Sequence, residues 1–301
     1  YKGVGCCASA NASAACCTAV NGSSYEWAVG SCRVKCDSCH TRNATTGACD
    51  FVPTLDCYIP SPTGNTDNKP KKAIIICPGG GYHFRAAWEA EPYALCFAAA
   101  GVAAFVLNYS VAPAVFPQSL CEAAEAVRVV RTHAQQWGID PDKIVICGSS
   151  AGGHLAASLG TMYDSRPVLE ALGGEAALYR PNGMLLCYPV ITGGAFAHQG
   201  SFQNLLGSAY SSKRARELSI EHLVCASTPP TFLWTTFEDE TVPAENSILM
   251  LQALRRNGVS CEFHLFPHGN HGLALASPVT ATPHDEACVW TDLAIRWLRN
   301  L

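Results

Sequence analysis

Val145 to Ser158 reads VICGSSAGGHLAAS. A β-branched apolar run stops at Gly148, two serines follow, and small helix-forming residues begin at Ala151, so the stretch predicts a strand, a sharp turn and a helix. Gly148, Ser150 and Gly152 satisfy G-x-S-x-G in that strand-to-helix setting. Ser149 does not, because its neighbours at minus two and plus two are Cys147 and Ala151. So sharp a turn presses the residues on either side of the serine together, and only hydrogen fits there. The helix that follows aims its positive N-terminal end, and the free backbone N–H of Ala151, at any oxyanion formed on Ser150. Ser150 is therefore the candidate nucleophile. Taken alone, the pentapeptide also permits a structural serine at a tight turn.

Either side of this stretch the same alternation recurs. AIIIC (73–77), VAAFVLNY (102–109), KIVICG (143–148), GMLLCYP (183–189), TFLWTT (231–236) and CEFHLF (261–266) are near-continuous apolar or β-branched runs, as strands covered on both faces should be. Between them, SLCEAAEAVRVVRTHAQQWG repeats Leu120, Ala124, Val127, Val130, Ala134 and Trp137 at steps of three or four, which is one helical face. NSILMLQALRRNG predicts a helix capped at Asn246 or Ser247 and stopped at Gly258, and DEACVWTDLAIRWLRN predicts an amphipathic helix. Tyr93 to Leu107 reads as a buried helix, a turn at Gly101 and a buried strand. The pattern predicts an α/β fold, a mostly parallel sheet with helices on both faces. No insertion is long enough for a large separate lid domain, and the excursions at 163–181 and 196–224 are the expected pocket walls.

Three loops that follow candidate strands carry chemistry. After AIIIC comes PGGGYH, Pro78 to His83. Neither G-x-x-x-x-G-K-[ST] nor G-x-G-x-x-G is completed, since position 84 is Phe84, so phosphate cradling is disfavoured. Consecutive glycines do let bare backbone N–H groups approach a ligand oxygen, which makes Gly80 and Gly81 oxyanion-hole candidates beside Ala151. After TFLWTT comes FEDETVPAENS. A general-base histidine needs one buried carboxylate, and Asp239 is the choice because it starts the D-x-x-V-P register, with Glu238 and Glu240 as alternatives. After CEFHLF comes PHGNHG, where His271, on the Gly-flanked turn, is the candidate base and His268 a structural or wall-forming alternative. His154, on the helix after the nucleophile, reads as a helix-surface or supporting histidine directed away from Ser150. Peptidase or amidase chemistry on the same three residues, and a non-catalytic binding protein, are the competing functions.

The 301 residues are 49% hydrophobic and 15% charged with a formal net charge of -4, enough for a sizeable core and without the basic stripe that nucleic acid requires. The longest nearly uncharged apolar run, Tyr93 to Leu107, is shorter than the roughly 18 residues a membrane span needs. Nine of the 17 cysteines lie between Cys6 and Cys57. That density divides the chain into a Cys-rich segment, 1–52, and a catalytic domain, 53–301. The eight later cysteines sit mostly in apolar patterns and read as small buried hydrophobes. Within the first segment, Cys36 to His40 fits C-x-x-C-H, a haem-attachment or zinc pattern. The sequons at Asn11, Asn21 and Asn43 favour a secreted disulfide module instead, with a disordered or non-native leader as the other reading. Tyr1 in place of methionine implies a start trimmed by processing or cloning, and the compartment and oligomeric state are left open.

The order Ser150, Asp239, His271, each after a candidate parallel strand, is that of an α/β-hydrolase. From Tyr58 onward the chain resembles the small α/β-hydrolase esterases related to hormone-sensitive lipase, and more narrowly the acetyl esterase and acetyl xylan esterase group. The matching pieces are CPGGGYH, GVAAFVLNYSVAP, IDPDKIVICGSSAGGHLAASLG, CYPVIT, DETVPAENS and FPHGNHG. Pro78 stands where hormone-sensitive-lipase relatives carry the histidine of H-G-G-G, which points to the acetyl-esterase side. The resemblance implies hydrolysis of short acyl esters, including acetyl groups on plant polysaccharide fragments, with no metal or organic cofactor.

Overall fold

In the computed structural model, residues 53–60 and 69–301 are described in full, with the backbone of four short strands before them. The strands are β1 (Tyr25–Ala28), β2 (Ser31–Lys35), β3 (Thr41–Arg42), β4 (Cys49–Phe51), β5 (Thr54–Tyr58), β6 (Lys71–Cys77), β7 (Ala103–Asn108), β8 (Ile139–Ser149), β9 (Gly183–Cys187), β10 (Thr231–Thr236) and β11 (Cys261–Phe266). The helices are α1 (Glu91–Ala99), α2 (Gln118–Thr132), α3 (Ala134–Trp137), α4 (Ser150–Met162), α5 (Arg166–Leu172), α6 (Gln199–Leu206), α7 (Ser212–Glu217), α8 (Glu245–Arg256) and α9 (Trp290–Asn300). All six apolar runs are strands. C-x-x-C-H and the three sequons lie outside the described residues.

The main sheet has the order β1-β2-β5-β7-β6-β8-β9-β10-β11, while β3 and β4 form a separate pair. Strands β6 to β11 run parallel, and β5 joins β7 antiparallel, so the sheet is mostly parallel as expected. β1 and β2, which precede the expected division at residue 52, pair antiparallel with each other and onto β5 and extend this sheet.

Alternate side chains of each central strand enter two separate cores, as the period of two in a pleated strand requires. Ile75, Phe105, Ile146 and Leu186 pack with the helices α2, α4 and α8 on one face. Ile74, Ile76, Val106, Val145 and Leu185 pack with α1 and α9 on the other. With both faces covered, the strand interiors are almost wholly apolar. β11 departs from this expectation: it is the edge strand, and its residues are only partly buried. Among the described residues no separate lid domain is present, and no helix is long and apolar enough to cross a membrane.

Three local expectations are corrected. The periodic face from Leu120 to Trp137 is divided between α2 and α3 by a break at His133. Asn246 and Ser247 do not cap α8; the helix starts at Glu245, and both are buried within it. Asn246 Oδ1 accepts from the N–H groups of Ile191 and Thr192 at 2.9 and 3.0 Å, holding the loop after β9. Among the later cysteines, Cys225 is exposed, in the turn before β10.

The order β7-β6-β8 places a topological switch at β6 and β8. The chain leaves β6 for α1 on one face and leaves β8 for α4 on the other, so the two loops diverge and leave a crevice at the carboxyl ends of the strands. The tightest packing lies there. A Cβ on Gly148 would stand 2.0 Å from the carbonyl oxygen of Gly152, and one on Gly152 would stand 2.0 Å from that of Cys77. Both obstacles are backbone and cannot swing aside. Gly152→Ala is expected to lower unfolding stability by about 3 kcal/mol or to prevent soluble folding. A thermal or urea midpoint equal to that of the unmodified chain would contradict this reading of the turn.

Candidate active site

Ser150 sits at the first turn of α4 with φ of 53°, a left-handed conformation that costs a non-glycine residue strain and occurs at tight functional turns. The glycine contacts at 148 and 152 hold it there. Ser149 is extended instead, with φ of -111°, and its buried hydroxyl donates to Tyr93 Oη at 3.1 Å. The two adjacent serines thus face different surroundings.

Asp239 and His271 come from loops after β10 and β11 and meet Ser150 in one hydrogen-bonded chain. His271 Nε2 lies 2.8 Å from Ser150 Oγ, and Nδ1 lies 2.6 Å from Asp239 Oδ2. Asp239 is buried, and its other oxygen accepts from the N–H groups of Thr241 and Val242 at 3.0 and 2.8 Å. The D-x-x-V-P register therefore works as a backbone turn that satisfies one carboxylate oxygen and presents the other. With Asp239 accepting from Nδ1–H, Nε2 carries the lone pair toward Ser150, the tautomer a general base needs. The alternatives lie outside this chain. Exposed His268 pairs with Glu238, Nδ1 to Oε1 3.0 Å, and Glu240 is exposed.

Gly80 and Gly81 line the cavity with Ser150 and His271. Gly80 has φ of 118° and a Cβ would stand 2.2 Å from the Phe84 carbonyl oxygen, whereas Gly81 is favoured by its φ of 64°. The loop is clamped from several sides. Tyr109 Oη donates to the Pro78 carbonyl at 2.6 Å, and Asn204 Nδ2 donates to the Gly81 carbonyl at 2.8 Å. Gly79 N–H is occupied by Glu89 Oε2 at 2.7 Å. Gly80 and Gly81 follow directly in the loop, and Ala151 lies in the first turn of α4, where a backbone N–H has no intrahelical acceptor.

His154 is not on the helix surface. It is buried, with Nε2–H toward the Leu218 carbonyl at 3.1 Å and Nδ1 accepting from Tyr82 Oη at 2.9 Å, so it ties the glycine loop to the segment after α7. Burial lowers its pKa to about 4.

The cavity is about 650 Å³, with Phe84 and Trp88 at its exposed rim and His198, Asn204, Thr241, Thr280 and Thr282 as polar lining. Of the two expected walls, only 196–224 reaches it. The physical reason is topology: residues 163–181 return from the end of α4 to the start of β9, at the amino ends of the strands, while 196–224 follows the carboxyl end of β9. Glu89, Trp88 and His198 were not singled out from the sequence. For Glu89 a signal existed, an acid between apolar residues in AAWEAEPYA, two positions before Glu91, which opens a buried helix. Among the described residues no group of three or more His, Cys, Asp or Glu is placed to hold a metal ion.

Known proteins share this arrangement of elements. The BD-FAE family profile matches residues 55–254. Endo-1,4-beta-xylanase B of Butyrivibrio fibrisolvens is 36% identical over 75% of this chain and 35% of its own length. The acetylxylan esterase of Xylanibacter ruminicola is 30% identical over 73% of this chain and 44% of its own. The chain thus spans less than half the length of these curated relatives. Among solved structures, the acetyl ester-xyloside bifunctional hydrolase from Caldicellulosiruptor lactoaceticus superposes with a TM-score of 0.72 at 41% identity, covering 83% of this chain and 89% of that one.

His154 supplies an acid-sensitive element. Its pKa falls on folding, so the unfolded chain binds the proton more tightly. The contribution to stability is complete above the ordinary histidine value and is lost as pH falls toward about 4. His154→Gln is expected to flatten the fall in unfolding free energy between pH 6.5 and 4, measured by urea titration at each pH. An unchanged slope would remove His154 from that role.

Proposed function

The chain belongs to the BD-FAE family of α/β-hydrolases, and on that premise we propose that it is a serine carboxylic-ester hydrolase that removes short acyl groups, acetyl above all, from hydroxyls of plant polysaccharide fragments such as xylo-oligosaccharides. The observation that carries the reaction type is the chain Ser150 Oγ, His271, Asp239 at 2.8 and 2.6 Å, opening into a cavity lined by Gly80 and Gly81.

In this reading His271 Nε2 takes the proton of Ser150 as Oγ attacks the ester carbonyl. The tetrahedral oxyanion accepts from the N–H groups of Gly80, Gly81 and Ala151, donors held in place before the reaction begins. The imidazolium, balanced by Asp239, returns its proton to the leaving alcohol as the C–O bond breaks. A water then attacks the acyl-enzyme with His271 again as base, releasing the acid and restoring Ser150. Each proton moves between His271 Nε2 and an oxygen of Ser150, the leaving alcohol or the attacking water, so the cycle closes with water as the one co-reactant.

The substrate class rests on shape and on the relatives' names. An acetyl group fills a small fraction of 650 Å³, and the remaining space is bordered by Trp88 and Phe84, whose ring centroids lie 6.2 Å apart, and by hydroxyl and amide side chains. A sugar ring has apolar faces and a hydroxyl rim, which suits such a border. The relatives named as an acetylxylan esterase and as a xylanase point the same way.

Ser150→Ala is expected to reduce hydrolysis of p-nitrophenyl acetate by roughly 10⁴-fold or more. Ser149→Ala, which removes only a donor to Tyr93, is expected to stay within about threefold of the unmodified chain; equal losses in the two variants would refute the assignment. Trp88→Ala should raise KM for acetylated xylo-oligosaccharides about tenfold more than KM for ethyl acetate, the value of one lost ring contact of about 1.4 kcal/mol. Equal effects on both substrates would place the sugar elsewhere.

A further inference from the structure

Glu89 is 2% exposed, lies beside Ser150 in the cavity lining, and has no part in the reaction described above. Both of its oxygens are engaged. Oε2 accepts from Gly79 N–H at 2.7 Å, and Oε1 accepts from Tyr188 Oη–H at 2.8 Å. Tyr188 Oη in turn accepts from Ala274 N–H at 3.0 Å and lies 3.3 Å from Tyr93 Oη, which accepts from Ser149 Oγ–H at 3.1 Å. The Tyr188 ring stands edge-on to His271 with centroids 5.0 Å apart.

With Glu89 ionised, these bonds have a self-consistent ordering of protons. The two N–H groups can only donate. With Ser149 donating to Tyr93, Tyr93 donates to Tyr188 and Tyr188 to Glu89, so each hydroxyl donates once and the series ends on a group that accepts twice. A carboxylate is the side chain that only accepts. The arrangement joins three separate loops: the glycine loop through Gly79, the serine turn through Ser149, and the histidine loop through Ala274 and the ring of Tyr188.

We propose that Glu89 is a positioning carboxylate of this site, ionised in the working protein, which fixes the glycine loop and the histidine loop relative to each other and adds its negative charge to that of Asp239 around His271. The inference rests on the esterase reading for its effect on turnover, but its electrostatic part concerns the protein alone. The pKa of Glu89 is raised, chiefly by burial, and the interactions with Tyr188, Gly79 and His271 offset part of that rise. The other groups facing His271 are Asp239 on the opposite ring nitrogen, the Tyr188 ring, and His198, whose pKa is lowered by burial and by His271. The pair Glu238 and His268 lies outside, exposed. Glu89 and Asp239 are the two carboxyl groups placed around His271.

Glu89→Gln keeps the shape and removes the charge. The ionisation of His271, followed by NMR titration of ring-labelled histidine in the full chain, is expected to move down by about one unit. The acid limb of kcat/KM for p-nitrophenyl acetate should move the same way, with kcat reduced about tenfold and KM within about twofold. A purely structural glutamate would leave the histidine titration in place, and an unmoved titration overturns the proposal. A shifted titration in a chain that shows no ester hydrolysis before mutation would uphold this inference while removing the proposed function. Should Glu89→Gln fail to fold, Tyr188→Phe breaks the link between the loops and leaves the carboxylate. A kcat about fivefold lower at unchanged KM supports the positioning role, and a kcat equal to that of the unmodified chain overturns it.

Discussion

Everything about the site depends on a steric constraint at one turn, where the backbone of Gly152 passes so close to Gly148 and to the Cys77 carbonyl that neither glycine can carry a Cβ. This contact locks the end of β8 and the start of α4 against the end of β6. Ser150 is thereby held at φ of 53°, a conformation it would not adopt on its own. The same contact brings the glycine loop after β6 alongside the serine, so Ser150 and the Gly80–Gly81 turn are set by one piece of close packing. The nine-stranded sheet and its two cores supply the rigidity against which that strain is maintained.

Around this turn the protein arranges negative charge with care. Burying a carboxylate is costly unless its oxygens find donors. Asp239 obtains two backbone N–H groups and His271, and Glu89 obtains Gly79 N–H and Tyr188. In both cases the donors that make burial tolerable belong to loops that must be held still. The hydrogen bonds that stabilise the anions are thus the ones that fix the geometry, and His271 lies under the influence of both. His154 plays the complementary part: neutral and buried, it braces the glycine loop from below through Tyr82.

The fold was legible because each of the six parallel strands is an apolar run and α2, α8 and α9 carry amphipathic repeats, signals that are local in the chain. Departures from the expectation arise where tertiary position overrides local pattern. CEFHLF looks like an interior strand but ends at the sheet edge. Asn246 looks like a helix cap but is drawn inside, because the loop after β9 needs its amide oxygen. Residues 163–181 look like a pocket wall as readily as 196–224 do, and only the direction in which each leaves the sheet separates them.

The sequence by itself determined the parts whose chemistry is written in adjacent residues: the strand-turn-helix at Ser150, the run of glycines, the D-x-x-V-P turn and the Gly-flanked histidine. Steric and torsional demands at such places restrict residue type locally, so they leave a pattern. Only the tertiary structure decided which acid and which histidine meet Ser150, since Glu238, Asp239 and Glu240 are chemically alike and adjacent in sequence. It decided, too, that Glu89, Tyr188, Tyr93 and Ser149 share a series of hydrogen bonds. Those residues come from three separate segments, and a hydrogen bond depends on distance in space, which spacing along the chain does not record.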